Sequence, residues 1–166
     1  MSDLKPKTVA FSAIQDQTYK AFPNDLNSNG TVFGGLVMAL LDRVALVVAE
    51  RHSERMCVTA SVDSIHFLAP ARKGDILLFQ AAINRSWRSS MEIGIRVRAV
   101  SYQKKEDRHI LSAYFTFVAL DEEGKPTQVP QVVPETPLEK RRYEEAEMRR
   151  QHRKKEKEER MIHRQK

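Results

Sequence analysis

The sequence predicts an α+β protein in which an antiparallel β-sheet wraps around one long buried helix, with a charged helical tail behind it. Three observations support this prediction. Residues Phe33–Ala49 are apolar on most of a helical circumference, so this helix needs cover on most sides. Four later runs are rich in β-branched and aromatic residues and are separated by short turns, which favours antiparallel neighbours. From Leu138 to Lys166, Glu, Lys, Arg and Gln dominate, as in an exposed helix.

The predicted elements follow one another in a simple order. A turn at Asn29-Gly30 precedes the apolar helix, and Gly34 and Gly35 lie in its first turn. Alternating or continuous apolar character then predicts the strands. A further strand is expected before Phe22, and the four main runs are Met56–Leu68, Ile76–Arg85, Met91–Tyr102 and His109–Leu120.

The chain is expected to divide into a domain of residues 1–130 and a proline-containing linker with a helical tail at residues 131–166. The 166 residues suit one domain with an appendage. We expect an ordered helix from about Pro137 toward Arg150 and a mobile end beyond it, because each exposed ion pair contributes only about 0.2–0.5 kcal/mol.

Charge is unevenly distributed along the chain. The net charge is +6, and residues 135–166 supply +4 of it, with twelve Lys and Arg against eight Asp and Glu. The basic isoelectric point is therefore poor evidence that the domain binds nucleic acid, and we expect no nucleic-acid partner.

Composition excludes several classes of protein. The single cysteine, Cys57, cannot form an intramolecular disulfide. The first ten residues lack the apolar stretch of a signal peptide, and Asp42 and Arg43 interrupt the most hydrophobic run, so no membrane span is expected. No Cys and His spacing is typical of zinc, and no metal is expected. A cytoplasmic protein is predicted.

Asp42 is the most informative residue, because it lies in the middle of the apolar helix. An unpaired ionised carboxylate would cost several kcal/mol there. Two interpretations fit: an ion pair with Arg43 or local solvent contact, and a catalytic base or nucleophile.

The segment before Asp42 offers complementary groups. Gly34 and Gly35 expose backbone amides at the start of the helix, where the helix dipole adds partial positive charge. Such amides can stabilise an oxyanion. The alternative is that the glycines only allow close packing, and that Asn27 only caps or turns the chain.

The order of these residues resembles the hotdog-fold acyl-CoA thioesterases, most closely the bacterial acyl-CoA hydrolases related to brain-type acyl-CoA hydrolase. The resemblance covers roughly residues 8–130. The matching segments are Asn27–Gly35 with Met38 and Asp42, Val58–Asp63, Phe67–Pro70, Gly74-Asp75, Arg88–Glu92 and Phe115–Ala119.

The resemblance implies hydrolysis of fatty acyl-CoA thioesters to free acid and coenzyme A. Asp42 matches the family's acidic catalytic residue, and Asn27 matches an asparagine that acts with it from the other subunit of a dimer. The backbone of Gly34 and Gly35 would form the oxyanion site. Phe33 replaces a histidine that many relatives carry before the glycine pair, so no side-chain role is expected at that position.

The resemblance also implies which groups bind the nucleotide end of the substrate. Arg88, Ser89 and Ser90 match the family's coenzyme A-contacting turn, and a guanidinium suits phosphate. Thr59 and Ser61 share one predicted strand face and either line the thioester cleft or pack within the strand. No cofactor is expected, because coenzyme A is part of the substrate and product.

Two other functions compete with thioester hydrolysis. The main alternative is a non-catalytic acyl-CoA-binding or scaffolding hotdog protein, which only the charged tail favours. The tail's charge of +4 suits nucleic acid or coenzyme A phosphates, but its mixed charge favours a solvated helix face. Hydratase chemistry is disfavoured, because the histidine pattern it needs is missing. A homodimer or a trimer of dimers is expected in either case, since one subunit's sheet would leave an edge and a face exposed.

Overall fold

The computed structural model describes residues 4–164. The domain limits expected at residues 1 and 166 lie outside the described residues. In chain order the elements are β1 (Lys7–Thr8), α1 (Val9–Ser12), β2 (Ile14–Lys20), a 3₁₀ turn (Pro23–Asp25), α2 (Gly34–Ser53), β3 (Met56–Val62), β4 (Ile76–Ser86), β5 (Ser90–Ser101), β6 (Glu106–Leu120), β7 (Val132–Val133) and α3 (Pro137–Arg164).

Five strands form one antiparallel sheet in the order β2-β4-β5-β6-β3. Short turns join β4, β5 and β6 into a meander, as expected from the sequence. β1 and β7 form a separate two-stranded parallel pair. The predicted α+β class, with a sheet around a long helix, is confirmed.

Helix α2 packs against the inner face of this sheet, on β3, β4, β5 and β6. It runs one turn beyond the expected end at Ala49, because His52 and Ser53 are also buried. Nε2 of His52 lies 3.1 Å from the carbonyl oxygen of Pro130. This contact anchors the end of α2 to the segment that leads into the tail.

One face of α2 and the neighbouring strand β3 are not covered within the chain. Met38 and Val47 on α2 are 47% and 39% exposed. Met56, Val58 and Val62 on β3, an edge strand, are 74%, 46% and 43% exposed. A single chain therefore leaves part of the helix and an edge strand as an apolar surface open to solvent, as expected for one subunit of an oligomer.

A β-bulge between Thr59 and Ser61 divides β3 into two parts, so that Thr59 and Ser61 face opposite sides of the sheet. Thr59 pairs with Phe117, whose side chain is buried on the inner face, whereas Ser61 pairs with Thr116 on the outer face. An extra residue in a strand reverses the side that later side chains face. The common face expected for Thr59 and Ser61 is therefore wrong.

Helix α3 packs on the outer face of the sheet and continues to Arg164. This is longer than the ordered helix expected to about Arg150. Ala146 is fully buried, and the guanidinium of Arg85 on β4 lies 4.0 Å above the ring of Tyr143. The indole of Trp87 donates a hydrogen bond of 2.8 Å to Glu147.

A buried carboxylate on β5 holds the middle of α3. Glu92 is fully buried, and it accepts hydrogen bonds from Asn84 at 3.1 Å, from Arg149 at 2.7 Å and from Arg153 at 3.1 Å. A Cβ atom on Gly94 would lie 2.8 Å from the Asn84 amide nitrogen, so the glycine leaves room for this contact. We call these four polar residues, Asn84, Glu92, Arg149 and Arg153, the tail clamp.

A second carboxylate, Asp63, lies at the edge of the tail clamp. Arg153 donates to it at 2.8 Å. Burial nevertheless raises the pKa of Asp63 above its ordinary value, the nearby Glu92 charge adds to the rise, and Arg153 opposes it. Glu92 accepts hydrogen bonds from three side chains and Asp63 from Arg153, so Asp63 is the weaker of the two anchors for α3.

Glu92→Gln should loosen α3. The substitution keeps the side-chain shape but leaves Arg149 and Arg153 without their shared negative charge, and breaking a buried pair of this kind costs about 3 kcal/mol. We expect a lower melting temperature and faster trypsin cleavage within α3. Glu144→Gln, the same change at an exposed position of α3 outside the tail clamp, should change neither. Unchanged cleavage in Glu92→Gln would mean that apolar packing alone holds the helix.

Candidate active site

Asp42 lies in the third turn of α2, half-buried beside β3. Its Oδ1 accepts a hydrogen bond of 2.6 Å from the hydroxyl of Thr59. Within residues 4–162, no Lys, Arg or His nitrogen lies within 4 Å of this carboxylate. The ion pair with Arg43 that the sequence left open is therefore absent. Thr59 orients one oxygen of the carboxylate and leaves the other available.

Asn27 lies in the loop before α2, and its side chain is held by a local turn. Its Oδ1 accepts from the backbone amides of Asn29 at 2.9 Å and Thr31 at 3.2 Å. Its Nδ2 donates to Thr31 Oγ1 at 3.0 Å. An amide nitrogen carries two hydrogens, so one remains free for a further acceptor.

The start of α2 exposes backbone donors. The amides of Leu36 and Val37 donate to the carbonyl oxygen of Phe33. In the described part of the chain, neither the Gly34 amide nor the Gly35 amide has a hydrogen-bond partner. Free amides at a helix start, together with the helix dipole, favour a bound anion or oxyanion.

Two phenylalanine rings flank this glycine pair. A Cβ atom on Gly34 would lie 3.4 Å from the ring of Phe67, and one on Gly35 would lie 2.4 Å from the ring of Phe33. Position 35 therefore has no room for a side chain while Phe33 keeps its place. Phe33 and Phe67 are 57% and 48% exposed, so they form apolar walls beside the free amides.

Asn27 and Gly34 line one cleft of about 340 Å³ together with Phe67. Asp42 does not line it. Eight residues separate Gly34 from Asp42, which is a rise of about 12 Å along a helix. Each chain thus carries two groups of candidate residues: Asn27 with the glycine amides, and Asp42 with Thr59.

Arg88 and Ser89 lie in the turn between β4 and β5, and Ser90 is the first residue of β5. The backbone amide of Trp87 donates to the carbonyl oxygen of Ser90 at 2.8 Å. The backbone amide of Ala119 donates to the carbonyl oxygen of Ser89 at 3.0 Å. The Arg88 side chain is exposed. A fixed backbone with a free guanidinium is well suited to bind phosphate.

The structure brings α3 next to this turn, which the sequence did not predict. A cleft of about 760 Å³ lies between α3 and the outer face of the sheet, and both Ser61 and Ser90 line it. The signal was present in the sequence as basic residues at helical spacing, but nothing in the sequence indicated which surface they would meet.

Cys57 and the histidines give no sign of catalysis or metal binding. The Cys57 sulfur lies 3.2 Å from the Ser53 hydroxyl, and burial raises the pKa of the thiol. Burial lowers the pKa of His52. No group of three or more His, Cys, Asp or Glu side chains that could hold a metal ion occurs in the searched residues.

The long helix packed on a five-stranded antiparallel sheet is the architecture of the hotdog thioesterases. The thioesterase superfamily model matches residues 29–104. A protein of Bacillus subtilis, "Uncharacterized acyl-CoA thioester hydrolase YkhA", is 40% identical over 120 residues, which are 72% of this chain and 70% of that protein. The chain belongs to this superfamily.

A longer relative matches over part of its length. The "Cytosolic acyl coenzyme A thioester hydrolase" of Rattus norvegicus is 42% identical over 144 residues, or 85% of this chain. The chain spans only 37% of that protein.

Solved structures agree with this assignment. An apo-hexameric acyl-CoA thioesterase has a TM-score of 0.88 at 39% identity, covering 92% of this chain and 97% of that one. An acyl-CoA hydrolase of Staphylococcus aureus, solved with butyryl coenzyme A, coenzyme A and its disulfide, has a TM-score of 0.86 at 38% identity, covering 94% of each chain. None of the helices in the searched residues is long and apolar enough to cross a membrane.

Proposed function

We propose that this chain hydrolyses acyl-CoA thioesters to a free acid and coenzyme A. The observation that carries the proposal is the half-buried carboxylate of Asp42 on α2, which the hydroxyl of Thr59 on β3 orients. The first amides of the same helix, at Gly34 and Gly35, are free. A base and an oxyanion site are the two groups that thioester hydrolysis needs. The names of the relatives and the ligands of the S. aureus enzyme support the substrate class.

In the proposed reaction, Asp42 takes a proton from water as the water oxygen bonds to the thioester carbonyl carbon. The carbonyl oxygen becomes an oxyanion and accepts hydrogen bonds from the amides of Gly34 and Gly35. Asn27 orients the water or the thioester. The intermediate then breaks its C–S bond, and the proton held by Asp42 passes to the coenzyme A sulfur. This sequence balances without a further cofactor.

The two groups of candidate residues would meet between chains. Within one chain they are about 12 Å apart along α2. The exposed apolar surface formed by Met38, Val47, Met56 and Val58 lies on the elements that carry Asp42 and Thr59. A homodimer that covers this surface would bring Asn27 of one chain to Asp42 of its partner. The hexameric neighbour supports a trimer of dimers, and the cytosolic relative supports a cytoplasmic location.

The turn Arg88–Ser90 would hold the phosphates of coenzyme A. The guanidinium of Arg88 is exposed at a turn whose backbone is fixed by hydrogen bonds from β6 and from residue 129. A non-catalytic acyl-CoA-binding protein is the weaker alternative. Its only support in the sequence is the charged tail. Since the tail clamp holds α3 against the sheet, the charges of α3 do not require a scaffolding function.

Asp42→Asn should lower kcat by about 10²–10⁴-fold with a smaller change in KM, because the amide cannot accept the proton from water. Steady-state kinetics with butyryl-CoA measure both constants. Glu50→Gln, an exposed change later on the same helix, should retain wild-type turnover. An Asp42→Asn enzyme within a factor of two of wild type would remove Asp42 from the mechanism.

Mixing two inactive variants should restore activity if the site is shared between chains. Asp42→Asn and Asn27→Ala chains, co-expressed in equal amounts, should give about a quarter of wild-type activity, since one pairing in four combines an intact Asn27 with an intact Asp42. Each variant alone should be nearly inactive. A mixture no more active than its components would place both residues in one chain's site.

Arg88→Ala should raise KM for butyryl-CoA about tenfold and leave hydrolysis of the N-acetylcysteamine thioester of butyrate nearly unchanged, because only the first substrate carries phosphates. The comparison needs initial rates over a range of both substrates. Equal losses on the two substrates would indicate that Arg88 supports the fold of the turn instead.

A further inference from the structure

The largest cleft described above lies between α3 and the outer face of the sheet, and we call it the tail cleft. Its volume is about 760 Å³. The lining on the sheet side includes Ser61, Asp63, Trp87, Ser90, Tyr114 and Thr116. The α3 side is mostly basic: Arg149, Arg150, Arg153, Lys154, Lys157 and Arg160 line it, together with His152 and Glu156.

The charges of the tail cleft fall into two sets. Arg149 and Arg153 belong to the tail clamp and are neutralised by Glu92 and Asp63. Arg150, Lys154 and Lys157, in contrast, have no acidic side chain within 4 Å among the described residues. The clamp therefore fixes the helix, and the second set is left to attract an external anion.

The second set forms a row along α3. Positions 150, 154 and 157 follow the i, i+4, i+7 spacing of a single helix face. That face lines the cleft, whereas Lys155, Glu158 and Glu159 do not line it. The helix thus places a row of cations along the cleft, and among the described residues of α3 Glu156 is the one acidic side chain that lines it, 3.7 Å from His152.

The lining favours phosphate groups over a bare aromatic ligand. The rings of Trp87 and Tyr114 already carry guanidinium groups, with Arg150 at 4.5 Å and Arg149 at 3.7 Å from the ring centroids. Little free aromatic surface remains for stacking. The hydroxyl groups of Ser61 and Ser90, together with the ammonium groups of the helix, are phosphate-binding groups.

We infer that α3 supplies part of the nucleotide subsite of the substrate: Arg150, Lys154 and Lys157 bind phosphates of the nucleotide half of acyl-CoA. Continuity supports this assignment, because Ser90 belongs both to the tail cleft and to the Arg88–Ser90 turn. The inference rests on the proposed acyl-CoA substrate. It gives the charged tail a function in binding, whereas the mixed charge of its sequence favoured a solvated helix face over attraction of coenzyme A phosphates.

The test compares two double substitutions that remove the same charge, one on the cleft lining and one off it. Lys154→Ala combined with Lys157→Ala should weaken coenzyme A binding about tenfold in calorimetry, since each exposed cation contributes up to about fivefold. Lys155→Ala combined with Lys140→Ala, both off the cleft lining, should bind as wild type. Both double variants should show the wild-type melting temperature.

Ligands that lack phosphates separate this inference from a general effect of charge. The Lys154 and Lys157 double variant should lower kcat/KM for butyryl-CoA about tenfold and leave butyryl-pantetheine unchanged. Equal losses in the two double variants, or on the two substrates, would overturn the inference. So would binding of ADP that does not compete with coenzyme A, which would indicate a separate nucleotide site.

Binding and turnover distinguish the failure of this inference from the failure of the proposed function. A wild-type protein that binds coenzyme A but does not release thiol from acyl-CoA would refute hydrolysis, while the calorimetric comparison would still test the tail cleft. A wild-type protein that hydrolyses butyryl-CoA with no effect of the Lys154 and Lys157 changes would refute only the tail cleft.

Discussion

The packing of α2 on the inner face of the sheet is the constraint on which the candidate site depends. Leu41, Ala45 and Val48 are fully buried there. Burying one large aliphatic side chain contributes about 1.5–3 kcal/mol, whereas a neutral hydrogen bond contributes about 1 kcal/mol. The apolar stripe therefore fixes the rotation of the helix about its axis. Asp42, one residue beyond Leu41, is carried to the margin of that stripe, where Thr59 can meet it.

The β-bulge in β3, a single extra residue, then places neighbouring polar side chains on opposite sides of the sheet. Before the bulge, Cys57 and Thr59 face α2, and after it Ser61 faces α3 with Asp63. Without the bulge, the two-residue period of a strand would direct Ser61 into the apolar core. The same short strand thus serves the carboxylate on one face and the tail clamp on the other.

The sequence predicted the architecture because its signals were local. The apolar run gave α2 to within one turn, and the alternating runs gave β4, β5 and β6 nearly to their ends. The local signals also singled out Asp42 and the glycine pair. The docking of α3 could not be predicted in this way, because it depends on Glu92, which is one acidic residue in an otherwise ordinary strand. Glu92 is buried because it pairs with Arg149, 57 residues further along the chain. Local hydrophobic periodicity carries no information about a contact between residues so far apart.

The open surface of α2 and β3 connects stability with the proposed chemistry. Burial of each exposed apolar side chain on this surface would contribute about 1 kcal/mol or more. Another molecule must cover the surface for Met38, Val47, Met56 and Val58 to be buried. In the proposed dimer, that cover also removes water from around Asp42, which strengthens its interactions with a substrate and with the partner's groups. The apolar surface that is unfavourable to expose to water in the isolated chain is then the same surface that completes the site. Assembly and activity would therefore depend on one set of contacts.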